Sequence, residues 1–188
     1  MSIVEVRWHG RGGQGAVTSA ELVAIAAINE GKYAQSFPSF GPERRGAPVL
    51  SFLRVSDDEP IRVRSEITEP DMVVVLNPDL LRVVNVTSGL KENGVLIVNT
   101  KKPIEEIKSA YGNGHRVATV NATSIARELL GVSITNTTMI GALLKVTGLV
   151  DLEALVGPLQ HRFGKLADKN IAAMRRAYEE TLILGANS

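Results

Sequence analysis

The segment His9-Gly10-Arg11-Gly12-Gly13-Gln14-Gly15-Ala16 holds the residue types of an anion cradle. Gly10, Gly12 and Gly15 carry the Gly-x-Gly-x-x-Gly spacing, placed after an apolar run and before a helical one. Glycines at such a turn let the backbone approach a ligand closely. The helix that follows offers unpaired N–H groups and a partial positive charge to a phosphate or carboxylate. Arg11 adds a guanidinium that can grip an anion through two hydrogen bonds. Gly10, Arg11, Gly12, Gly13, Gln14 and Gly15 are therefore the first candidate binding residues. A second reading stays open, in which the glycines only let a strand and a helix pack closely. A nicotinamide dinucleotide fits poorly. It calls for a carboxylate after the second strand to hold the ribose, and residues 31–37 contain none, while Glu30 falls too early.

The second constellation is a stiff loop over residues 36–48, rich in proline and glycine, with Arg44 and Arg45 between Pro42 and Gly46-Ala47-Pro48. Two guanidinium groups on a restrained backbone suit a phosphate or a partner's carboxylate. Phe37 and Phe40 on the same loop suit anchoring to another surface, against the plainer reading of a solvated loop edge. The third is Asn136-Thr137-Thr138-Met139-Ile140-Gly141-Ala142, with Asn136 as a helix N-cap and small residues that permit close helix packing.

Other chemistries are excluded by what is missing. The 188 residues include no cysteine, which rules out disulfides, thiol catalysis, and cysteine ligation of zinc or iron–sulfur clusters by this chain. His9, His115 and His161 are far apart and match no metal-ligand spacing. No serine sits in a nucleophile elbow and no carboxylate pair stands out, so the chain lacks groups for redox or acyl chemistry by itself. Lys and Arg number 21 against 20 Asp and Glu, so a net charge of +1 gives no bulk attraction to nucleic acid or membrane. No targeting segment and no membrane span is visible, and a cytoplasmic location is the expectation.

The elements that must position these groups follow from pattern. Residues 3–8 read as a strand, 16–29 as an apolar helix, and 33–37 as a second strand. Residues 49–55 and 61–64 read as a hairpin across the polar turn 57–60. The run 72–76 is apolar throughout, as in a parallel strand covered on both faces. Helix 80–86, strand 95–98, helix 104–111, strand 117–120 and helix 122–130 continue a βαβ alternation, and 137–147, 152–162 and 165–184 read as helices. The expectation is one α/β domain over residues 1–188. It has three layers, with a mostly parallel sheet and helices on both faces. It begins Rossmann-like, contains one hairpin, and its C-terminal third is helical.

The three motifs together resemble the gamma subunit of 2-oxoacid:ferredoxin oxidoreductases, and most of all that of the pyruvate enzyme, pyruvate synthase. The resemblance rests on Gly10 to Gly15, on Ser39-Phe40-Gly41-Pro42-Glu43-Arg44-Arg45-Gly46-Ala47, and on Asn136 to Ala142, and it spans nearly the whole chain. It implies a complex that converts a 2-oxoacid and coenzyme A to acyl-CoA and carbon dioxide and passes electrons to ferredoxin. It implies thiamine diphosphate and iron–sulfur clusters on alpha, beta and delta partner subunits, none of them held by this chain. It gives this chain a role in assembly, with coenzyme A at an interface and Arg44 and Arg45 as interface or phosphate contacts. A stand-alone Rossmann-like nucleotide-binding protein and a small-anion module remain the alternatives.

Overall fold

The computed structural model describes residues 3–39 and 46–185. A seven-stranded mixed sheet forms its middle layer. The strands are β1 (Val4–Arg11), β2 (Tyr33–Pro38), β3 (Pro48–Ser56), β4 (Met72–Val75), β5 (Val95–Asn99), β6 (Arg116–Val120) and β7 (Leu182–Leu184). In space they run β2-β3-β1-β4-β5-β6-β7. The central β1, β4, β5 and β6 are parallel, while β3 is antiparallel to both β1 and β2, and β7 to β6. The expected parallel character thus holds in the middle and gives way at both flanks.

Successive residues of a strand face opposite ways, and both faces here are dry. Met72 and Val74 of β4 pack with α1 (Ala16–Asn29), α4 (Ala122–Leu130), α5 (Asn136–Thr147), α6 (Val156–Phe163) and α7 (Ala167–Glu180). Val73 and Val75 pack instead with α2 (Leu80–Val83) and α3 (Ile104–Tyr111). The continuous apolar run is explained by this double cover, and the three layers are those expected. Among the described residues no helix is long and apolar enough to cross a membrane.

Two expectations are corrected. Residues 61–64 form no strand, and Arg62, Val63 and Arg64 are exposed. Their intended partner β3 has no free edge, because β2 occupies one side and β1 the other. The hairpin-like pairing is β2 with β3, across the segment that contains the arginine pair. The last helix also stops early. It ends at Glu180, Thr181 turns extended, and Leu182 to Leu184 pair with β6 as its outer neighbour. An apolar Leu-Ile-Leu run suits strand and helix alike, and the open edge of β6 decides.

Where the sheet layer meets β1 and β3 the second face is polar. Arg7 is buried, and its guanidinium donates to Ile67 O at 3.4 Å, Val86 O at 3.0 Å and Ser88 O at 2.6 Å. One side chain thereby ties two irregular segments over the sheet. Arg54 adds an ion pair to Glu5 at 2.8 Å and lies 5.5 Å over the Phe37 ring. Phe37, expected on the loop as an anchor, stacks inside the chain on Phe52 with centroids 5.2 Å apart.

Candidate functional site: the glycine loop at the end of β1

β1 ends at Arg11 and α1 begins at Ala16, so the glycine cluster is the strand-to-helix turn that its spacing predicts. Each part has a distinct job. A Cβ at Gly10 would lie 3.3 Å from the Ala16 Cβ and 3.4 Å from Leu76, so this position serves close packing of helix on strand. Gly13 has a φ of +90° with nothing within 4 Å of its would-be Cβ, and it is exposed. Here the backbone needs glycine for its turn, and the space beside it is open to a ligand.

Gln14 braces the turn. Its Oε1 accepts from the Arg11 backbone N–H at 2.7 Å, and its own N–H donates to Arg11 O at 3.0 Å. Arg11 donates through Nη1 to Gly46 O at 2.9 Å, and the Gly12 N–H donates to Ala47 O at 3.0 Å. Gly46 and Ala47 are the residues that end the arginine loop. Arg44 and Arg45 themselves, with Phe40 to Glu43, lie outside the described residues. The two motifs are nonetheless joined by hydrogen bonds at their shared boundary.

The third motif arrives from the far end of the chain. Asn136 is the first residue of α5, not its N-cap; Thr135 holds that position. A Cβ at Gly15, whose φ is +80°, would fall 2.6 Å from Asn136 Nδ2 and 2.9 Å from its Cβ. Ser19 Oγ lies 3.0 Å from Gly15 O and 3.1 Å from Asn136 O, within reach of donating to either. Asn136 is thus a wall of the glycine loop, where the sequence pattern suggested a helix N-cap in a packing motif. The one available signal was its membership in the same three-part pattern. Glu30, by contrast, sits at the other end of α1, where its Oε1 accepts from the Asp151 N–H at 2.6 Å. It has no access to the loop.

Substituting Gly15 by alanine imposes both a left-handed backbone on a side-chain-bearing residue and a clash with Asn136. A loss of about 1–3 kcal/mol is expected in denaturant unfolding. Combining it with Asn136→Gly removes the clash but not the backbone strain, so only part of the loss returns. Full rescue by the double variant would show that φ is not a constraint there.

The chemistry such a turn can do is to hold an anion. Its resources are the α1 N-terminus, the open backbone at Gly13, and the cation Arg11. Among the described residues no group of three or more His, Cys, Asp or Glu side chains is placed to bind a metal.

Known proteins extend this picture. Residues 5–180 match the family model described as pyruvate ferredoxin/flavodoxin oxidoreductase. The chain is 53% identical to the pyruvate/ketoisovalerate oxidoreductases common subunit gamma of Pyrococcus furiosus, over 95% of this chain and 97% of that one. It is 49% identical to the pyruvate synthase subunit PorC of Methanothermobacter thermautotrophicus, over 98% and 99% of the two chains. The crystal structure of the pyruvate oxidoreductase subunit PORC of Thermotoga maritima superposes with a TM-score of 0.87 at 39% identity, covering 97% of this chain and 99% of that one. With Gly46, Ala47 and Asn136 meeting the glycine loop at the end of β1, and the match running nearly end to end, the chain belongs to the pyruvate ferredoxin/flavodoxin oxidoreductase family, as a gamma-type subunit.

Proposed function

We propose that this chain is the non-redox gamma subunit of a pyruvate (2-oxoacid):ferredoxin oxidoreductase and that it works as one gamma-type domain over residues 1–188. The assembly converts a 2-oxoacid and coenzyme A to acyl-CoA and carbon dioxide, and the electron pair released passes to ferredoxin. Thiamine diphosphate and the iron–sulfur clusters reside on alpha, beta and delta partners in the cytoplasm. This chain contributes assembly contacts and part of the coenzyme A pocket.

The observation that supports the reading is the convergence at the end of β1. Gly12 and Arg11 bond to the end of the arginine loop, and Gly15 touches Asn136. A coenzyme A molecule presents phosphates, and the glycine turn fits that charge: open backbone at Gly13, a helix N-terminus and Arg11 beside it. Arg44 and Arg45 follow as the phosphate or interface contacts. When bound, coenzyme A supplies the thiol that accepts the acyl group; the residues here hold and orient it.

The test is native co-purification followed by coenzyme A titration of the assembled enzyme. Arg44→Ala with Arg45→Ala is expected to raise the coenzyme A KM or to weaken assembly, with the chain's own stability changed by less than ~0.5 kcal/mol. A chain that purifies from its source only as a lone monomer, or one that binds NAD, NADP or FAD tightly by calorimetry, would overturn the reading.

A further inference from the structure

The carboxyl edge of the sheet carries a second opening, away from the glycine loop and beyond β4. β5 passes the chain to α3 on one face of the sheet, and β6 passes it to α4 on the other. Neighbouring parallel strands whose helices leave on opposite faces open a crevice between them, and open α/β sheets take ligands at such points. The crevice here has a volume of about 460 Å³, inside the range of roughly 300–1,000 Å³ typical of small-molecule sites.

Its floor is a built structure. Asn99, 2% exposed, donates from Nδ2 to Leu76 O and to Thr123 Oγ1, both at 2.9 Å, and accepts at Oδ1 from the Thr123 N–H at 3.2 Å. One buried amide thereby pins the ends of β4 and β5 to the start of α4. Thr123 Oγ1 receives that bond, and no acceptor for its own proton is found among the described residues. Asn121 caps α4 beside it, accepting from the Ser124 N–H at 3.1 Å. One wall is apolar and includes the ring of Tyr111.

The charge is one-sided. Four cations, Arg82, Lys101, Lys102 and Arg127, line the crevice against the single carboxylate Asp79, in a chain whose net charge is +1. Lys102 is paired with Glu106. Among the described residues Arg82 and Lys101 pair with no carboxylate, and Arg127 meets only the Ser133 hydroxyl, at 2.7 Å. A concave, low-dielectric pocket with one sign of charge concentrates anions. The geometry points to a binding site for a phosphorylated, ring-bearing small molecule of mononucleotide size. Its phosphate sits between Lys101 and Arg127 and its ring lies against Tyr111. Volume favours this over an acidic protein surface: the crevice is the size of a small-molecule site and pairs its cations with an apolar wall.

The experiment titrates the full chain with ADP and with inorganic phosphate by calorimetry, at low and at physiological salt. ADP is expected to bind more tightly than phosphate, and less tightly as salt rises. Lys101→Glu and Arg127→Glu should each weaken ADP at least tenfold, and Tyr111→Ala should narrow the gap between ADP and phosphate. ADP taken up by the glycine loop should be lost in Arg11→Ala and kept in Arg127→Glu, while the binding lost in Arg127→Glu should persist in Arg11→Ala, which separates this site from the coenzyme A reading. Lys101→Gln serves as a neutral variant with the same melting temperature as the parent. Silence with ADP at millimolar concentration overturns the site. So does ADP binding lost in Arg11→Ala but intact in Arg127→Glu. Loss of complex assembly in Arg127→Glu with ADP silent would assign the crevice to a partner's acidic surface instead.

Discussion

Replacing Gly141 by alanine will destabilise the chain by about 3 kcal/mol, the upper end of what overpacking a dense core usually costs. α5 and α7 meet so closely there that a Cβ would lie 2.0 Å from Met174 O and 2.9 Å from Tyr178 N. Both obstacles are helix backbone, which cannot rotate aside as a side chain would. The helices would have to separate, and polar contacts depend on their spacing. Thr137 Oγ1 donates to Asn170 Oδ1 at 2.7 Å across the same interface, while Asn170 Nδ2 holds Leu166 O at 2.9 Å. For a chain of this size the loss corresponds to a fall in Tm of about 6–12 °C. Gly157→Ala is the control. It sits in α6 with nothing within 4 Å of its would-be Cβ, so alanine should gain about 0.5–1 kcal/mol from helix propensity. A Gly141→Ala chain that melts with the parent would mean that the two helices slide apart at little cost. Because α5 also carries Asn136 to Gly15, forcing the two helices apart would disturb the glycine loop, and on the proposed reading a weaker coenzyme A response should accompany the lower Tm.

What could be read from the sequence was what local pattern controls. Helices 104–111 and 122–130 lie at the bounds read from the strand–helix alternation. The apolar run at 72–76 is a strand buried on both faces because every residue of it meets a helix or a covering segment. Pairing is a different matter. Nothing near residues 61–64 tells that β3 has both edges filled, and nothing in Leu182-Ile183-Leu184 tells that β6 has an edge free. The site divides in the same way. The turn at Gly10 to Gly15 announces itself through glycine and position. Its contact with Asn136 joins residues far apart in the chain, and pattern alone left Asn136 as a helix cap. The basic crevice is still less visible, since Arg82, Lys101 and Arg127 come together only because each follows a strand of one parallel sheet. The shared signal, a cation soon after each central strand, has meaning only once the strand order is known.

Stability should also fall steeply in acid, and one residue should account for a distinct part of the fall. His9 is 4% exposed, and burial, aided by the charge of Arg7, holds its pKa down at about 3. Its Nε2 accepts from Arg7 Nε at 3.2 Å, so the folded state needs the neutral ring with its proton on Nδ1. In the unfolded chain the same imidazole titrates near 6.5. The folded value is the lower, so between pH 6.5 and about 3 the unfolded chain holds the extra proton. The contribution is complete above pH 6.5 and is lost as the pH falls toward 3, by up to about 1.4 kcal/mol per pH unit. His9→Gln keeps an acceptor for Arg7 and removes the titration. Denaturant unfolding over that pH window should therefore give a shallower acid limb for His9→Gln, by close to one proton. Parallel limbs for the two proteins would show that His9 stays solvated and that its burial carries no energetic weight. The consequence reaches the site. His9 precedes Gly10, and its carbonyl accepts from the Leu76 N–H at 2.8 Å. A second cation beside Arg7 would press on the segments that Arg7 ties through Ile67, Val86 and Ser88. Acid should loosen the end of β1 before it melts the helical third, and hydrogen exchange at Gly10 to Gly13 should rise ahead of exchange in α5 and α7.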